Sequence, residues 1–248
     1  MEGSTVLANR ATEKKPTRPV ANPAVQTARR DWMEKFDGPV AVKNVVLGSP
    51  TVRHMHKRTF EHVGRNVHFI SVFGRILAGE ASIAPAEEEI YKRIDEVRTA
   101  LERKISATEA TLVDAKVDTA ETSFNKKETI ESKIIVPAQK KYLDILDLAD
   151  RLMLLVNTLW LEGEISDKSK SKAEHDLKNL IRQIPSTTRK LRVYLQGKIV
   201  EESNKANASP EAKKAMAQLQ ASGETQVPND GLEEEETATA GKAEAAVA

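Results

Sequence analysis

The chain of 248 residues has no cysteine, and its aromatic residues are two Trp, three Tyr and five Phe. Without cysteine there is no disulfide, no thiolate nucleophile and no cysteine-ligated zinc, a composition compatible with a reducing compartment. An aromatic content of 4% against a charged fraction of 30% suits long, solvent-washed helices better than a thick α/β core. Long hydrophobic runs are missing too. The longest uncharged apolar run, "LMLLVNTLWL" (152–161), is far below the roughly 20 residues that span a bilayer. The opening "MEGSTVLANRATEKKPTRP" has no apolar stretch of signal-peptide length. A soluble, bacterial-type cytoplasmic protein with no membrane association is expected.

Catalytic signatures are equally scarce. "GRILAGEAS" lacks both the Lys-Ser/Thr pair of a phosphate loop and the dinucleotide fingerprint. No Gly-x-Ser-x-Gly elbow occurs. Four of the five histidines (His54, His56, His62 and His68) fall within 54–68. His54 and His56 point apart on a helix, and His62 and His68 are six residues apart, so neither pair has ligand spacing. The carboxylates of "PAEEEIYKRIDE" are the kind that helix N-termini carry. An enzyme is not expected, nor a metal or a cofactor.

The charge is more informative in its distribution than in its sum of +1. Residues 166–198 hold nine Lys/Arg against three Asp/Glu, whereas 201–248 hold four Lys against ten Asp/Glu. A basic patch attracts phosphates through counterion release, although it is also what the solvated face of a charged helix looks like. Residues 1–35 read as a disordered basic arm, 36–200 as a single mostly helical domain, and 201–248 as a disordered acidic tail.

Within that domain, apolar residues from Val52 to Phe73 recur at helical intervals, with Gly64, Gly74 and Gly79 weakening the pattern. "PVAVKNVVLG" (39–48) alternates weakly and is a candidate strand. Residues 84–118 read as an amphipathic helix with a stripe of Ile90, Ile94, Val97, Leu101, Ile105, Thr108 and Leu112, opened by Pro85 as a first-turn proline. The stripe either packs on the core or pairs with another copy. The segment 119–128 reads as a loop. A strand is expected over 129–136, then helices over 138–164 and 166–184, the first stopped at Gly163 and the second ended or kinked at Pro185. In the second, Ser171-x-x-Glu174 fits a capping box, and 186–202 has the pattern of one further helix.

A strand with no partner leaves a row of backbone groups unsatisfied. One solution is a second copy of the same strand. "SKIIVPAQKKYLDILDLADRL…ISDKSKSKAEHDLKNLI" is similar to the ribbon-helix-helix pattern, and the wider layout over roughly 85–195, "LWLEGEISDKSKSKAEHDLKNLIRQI" above all, resembles the AcaB family of transcriptional activators from conjugative plasmids and integrative elements. The resemblance implies a mainly α fold with one short strand, dimerised through a β-ribbon shared by two chains and lying in the major groove. It implies that Glu131, Lys133 and Ile135 face the bases while Ser132, Ile134 and Val136 face the core. It also places Ser166, Lys168, Ser169, Lys170 and Lys172 near a phosphate at the N-terminus of the second helix. The partners implied are double-stranded DNA, a second copy of the chain, and a second transcription factor or RNA polymerase. The alternative from the residues alone is a helical scaffold or assembly protein in which the strand packs within the monomer.

Overall fold

Nearly every run of apolar residues at three- and four-residue spacing is a helix in the computed structural model, which describes residues 36–117 and 122–204, with Met33, Lys214 and Ala217. The order is β1 (Ala41–Leu47), α1 (Pro50–His68), a π-helical turn (Phe69–Gly74), the single turn α2 (Arg75–Ala78), α3 (Glu80–Asp114), β2 (Glu128–Ile134), α4 (Pro137–Leu161) and α5 (Asp167–Asn204). The described residues from Gly38 to Asn204 belong to one compact unit. The expected basic arm and acidic tail lie, but for a few positions, outside the described residues. Among the described residues no helix is long and apolar enough to cross a membrane.

The fold is mainly helical, as expected, but it has a second strand. β1 and β2 pair antiparallel in one chain, with Val42 opposite Lys133, Asn44 opposite Glu131 and Val46 opposite Thr129. The expectation of one strand that waits for a second chain is corrected accordingly. Residues 41–47 alternate weakly because Lys43 stands in the inward row, where its ammonium reaches Asp144 of α4 at 2.9 Å. In that row Val45 and Leu47 with Ser132 and Ile134 are buried, Ile130 is half-buried and Ala41 is exposed. Two strands alone are marginal in water; these are held from behind by α1 and α4.

The stripe on α3 is core. Ile90, Ile94, Val97, Leu101, Ile105 and Leu112 are buried, with α4 and α5 packed against their helix. Pro85 lies in the second turn rather than the first, because α3 begins at Glu80 behind Gly79, whose φ of 78° favours glycine. α4 opens with Pro137 at its first position and ends at a Schellman motif: Gly163 has φ 80°, and the N–H of Glu164 reaches the Leu159 carbonyl at 2.9 Å. Gly64 in α1 marks a close approach, since a Cβ there would stand 2.5 Å from the Gln139 side chain of α4.

Pro185 neither ends nor replaces the last helix. α5 runs through it for 38 residues. The proline forfeits one backbone bond to residue 181, but the buried series Leu177, Ile181, Ile184, Thr188, Arg192, Leu195 and Ile199 keeps helical spacing on both sides of it. Burial of that stripe outweighs the local penalty of about 3 kcal/mol.

Candidate nucleic-acid interface

The strand pair has an inward and an outward face. Outward stand Val42, Asn44 and Val46 from β1 with Thr129, Glu131 and Lys133 from β2, all exposed. Glu131 and Lys133 therefore stand on the solvent face that the sequence assigns them, and Ser132, Ile134 and Val136 on the buried one. Ile135 does not join them. It follows the end of β2, is half-buried against the core, and donates its backbone N–H to Gln139 Oε1 at 3.0 Å.

Ser132 is a polar residue in an apolar row, and α1 explains it. Its hydroxyl lies 2.9 Å from His56 Nε2, and His56 stacks on Phe60 with ring centroids 4.7 Å apart. Burial, reinforced by the Lys57 charge and opposed by Glu128, pushes the imidazole down to about 4. At the end of the strand pair Glu128 accepts from Arg53 at 3.2 Å and Lys57 at 2.8 Å of α1, and those hydrogen bonds lower its carboxyl. Among the described residues the histidines form no cluster with carboxylates that would hold a metal.

The α4–α5 corner carries the second expected patch. Ser166 is the cap of α5: its hydroxyl accepts the Ser169 N–H at 3.2 Å, and its carbonyl accepts that of Lys170 at 3.0 Å. Asp167 accepts the Trp160 indole N–H at 2.6 Å, while the Lys170 ammonium lies 3.5 Å from the centroid of the same ring. The N-terminus of α5 is thus capped by a hydroxyl and carries the Asp167 carboxylate in its first turn. Lys168 and Lys172 are exposed beside it. Glu174 is no capping-box partner; it accepts from Thr51 of α1 and pairs with Lys178 at 3.0 Å, the Thr51 bond contributing most to its lowered pKa.

The two expected patches therefore sit on different elements, each tied to the N-terminal half of α1, through Glu128 on one side and Glu174 on the other. Packing of α1 on α5 gathers further cations there. His54 has its pKa lowered by partial burial and then by Arg58 of its own helix and Lys178 and Arg182 of α5. Further along α5, Arg182, Arg189 and Lys190 line a cleft with Arg93 of α3. Arg58 and Arg93 carry no sequence signal for this role, because only helix packing places them beside the basic window. That window also contains a residue that is no surface charge at all: Arg192 is fully buried, its guanidinium 3.2 Å from Asn66 Oδ1 and 4.6 Å from the centre of the Phe69 ring.

No protein-family profile matches the sequence, and no curated protein matches it. A solved structure does match: the crystal structure of selenomethionine-containing AcaB from uropathogenic E. coli superposes with a TM-score of 0.62, covering 77% of this chain and all of that one at 20% identity. The fold is AcaB-like. At that identity the likeness concerns architecture, and the β1–β2 pair with the helices behind it is this chain's own frame for the charges described above.

Proposed function

We propose that the chain is a DNA-binding transcriptional regulator, an activator serving a mobile genetic element, that grips duplex phosphates with the cationic face of α1 and α5 and presents a two-stranded ribbon to the major groove. The observation that carries this reading is the gathering of Arg58, Lys178 and Arg182 around His54, in a chain whose net charge is only +1. Cations brought together from two helices raise the local potential, and Glu174, paired with Lys178 at 3.0 Å, offsets part of it. A ribbon of two antiparallel strands fits the major groove whether one chain or two supply it, so the pairing of β1 with β2 removes the need for a second chain to build it. Lys133 is the base-reading candidate on its outward face, with Glu131 and Asn44 beside it. A homodimer, which the family resemblance implies, would carry two such ribbons. The reading contains no catalytic step.

The pairing of the strands within one chain also favours a second reading, a helical scaffold or assembly protein with no nucleic-acid role. Lys133→Ala in the full-length protein decides between them. The regulator reading expects weaker binding to a cognate promoter duplex, by about 1–3 kcal/mol, and less discrimination against a scrambled one. No binding to either duplex at low salt favours the scaffold.

A further inference from the structure

The outward face of the β1–β2 pair is not the polar surface that a solvated sheet face usually shows. Val42 is 59% and Val46 52% exposed, and Val40, two residues before Val42, is exposed as well. Among the described residues ten large apolar side chains are exposed, and three of them stand in this one row. Single ones need no explanation, but a row does. Strand propensity alone does not account for it, since threonine also favours strands, and β2 uses Thr129 opposite Val46. Val42 is paired across the strands with Lys133, and Asn44 stands opposite Glu131 between the two valine positions.

The occupant of this face has to suit both its apolar and its polar members. An apolar protein patch or a lipid surface that covered the valines would leave Asn44 and Glu131 buried without partners, which is costly. Base edges in a major groove offer both: a thymine methyl to each valine, a cytosine amino group to Glu131, and the donor and acceptor of adenine to Asn44. The charges around the face also suit a polyanion. Lys126 and Lys127 lead into β2 at one end, and Lys140 lies one turn into α4 beyond the other. The side chains of all three, and of Lys133, are exposed and without a partner among the described residues. Glu128, at the Lys127 end, is already held by Arg53 and Lys57, so Glu131 is the one carboxylate in the outward rows.

We propose that Val42 and Val46 read thymine methyl groups, so that the ribbon selects duplexes with two thymines about four base-pair steps apart and a guanine for Lys133 beside one of them. The spacing follows from the separation of the valines, about 13 Å along β1, against about 3.4 Å per base-pair step when the ribbon lies along the groove. The inference rests on the ribbon reading above and deepens it. The test selects duplexes with a random core on the full-length protein and remakes the most enriched one with uracil for every thymine, which removes only the methyl groups. Fluorescence anisotropy then compares the two duplexes on wild type, Val42→Ser/Val46→Ser and Val42→Thr/Val46→Thr. Wild type is expected to bind the uracil duplex about tenfold more weakly. The serine variant is expected to bind the two duplexes within about twofold of each other, while the threonine variant, which keeps a methyl at each position, retains most of the difference. A weakened strand lowers affinity for both duplexes alike, so a loss confined to the thymine duplex is not a folding effect. Equal wild-type affinity for the two duplexes overturns the inference, and the regulator reading then stands if that affinity falls steeply with salt. Failure to bind any duplex at low salt overturns both. A wild-type dimer that the serine variant splits into monomers overturns the inference as well, since a second copy then covers the valines.

Discussion

His56 Nε2 lies 2.9 Å from Ser132 Oγ in the core, so that one turn of α1 is fastened to the inward row of β2. The other ring nitrogen, Nδ1, is buried with no hydrogen-bond partner. A bare lone pair is less costly to bury than an orphaned N–H, which assigns the proton to Nε2 and makes the histidine the donor. A second proton would have to sit on the partnerless Nδ1, and burial opposes that charge.

Stability therefore depends on pH through His56. The folded imidazole protonates near 4 and the unfolded one near 6.5, so the unfolded state binds the extra proton first as pH falls. The contribution is intact above about pH 6.5 and is lost progressively down to about pH 4, by about 3 kcal/mol at most. Urea unfolding across that range checks it. His56→Gln should flatten the slope between pH 6.5 and 4.5 relative to wild type, and an unchanged slope would assign the dependence to other groups.

Asp150 of α4 accepts the backbone N–H groups of Gly48 at 3.0 Å and Ser49 at 2.7 Å, immediately before α1 begins at Pro50. A carboxylate from another helix thus satisfies donors that the strand-to-helix corner leaves open, and it does so at the positive end of the α1 dipole. Asp150→Ala should lower stability by about 2 kcal/mol. A thermal melt would show this as a fall of about 4–8 °C for a domain of this size; no fall would mean that water replaces the carboxylate without loss.

Lys116 follows α3 with φ 56°, and its N–H bonds to the Val113 carbonyl at 3.0 Å while that of Val117 reaches Leu112, also at 3.0 Å. This is the same Schellman geometry that Gly163 provides after α4, occupied here by a residue with a Cβ. Lys116→Gly should raise stability by about 0.5–1 kcal/mol, because relief of the left-handed strain exceeds the added chain entropy. Denaturant midpoints of the two proteins suffice to check it, and a lower midpoint for the glycine variant would contradict it.

Arg192 and Lys168 belong to the same basic stretch of sequence but to different environments. Arg192→Ala removes a fully buried side chain in contact with Asn66 and Phe69, and should destabilise by about 3 kcal/mol. Lys168→Ala, at an exposed position, should change stability by less than about 0.5 kcal/mol. Parallel melts separate the two, and similar shifts would mean that Arg192 reaches solvent.

Much of this architecture was legible before folding. Tyr142, Ile145, Leu146, Ala149, Leu152, Met153 and Val156 recur at helical spacing and are buried in α4, and the stripe from Ile90 to Leu112 is buried in α3 except at Thr108, because a 3.6-residue period needs only local sequence to be seen. β1 was harder to see. Its partner lies more than 80 residues away, and Lys43 interrupts its inward row for the sake of Asp144 on a third element. Ser132 likewise made sense only beside His56. Pro185 misled for the opposite reason: local propensity ended the helix, while burial from Leu177 to Ile199 carried it on. The candidate site was half legible. Lys133, Glu131, Lys168 and Lys172 stand at exposed positions, as the family resemblance implied, but Arg58 and Arg93 are brought to α5 only by helix packing, and Ile135 is half-buried and bonded to Gln139.

The central claim is that α1 and α5 together form a phosphate-binding face. Its most direct test is the salt dependence of duplex DNA affinity for the full-length protein and for a Arg58→Glu/Lys178→Glu variant. The account predicts affinity that falls steeply with salt in the wild type, and a log–log slope shallower by about 2 in the variant, near 0.9 for each phosphate contact removed. A wild-type protein that binds no duplex even at low salt, or a variant with unchanged affinity and slope, would contradict it.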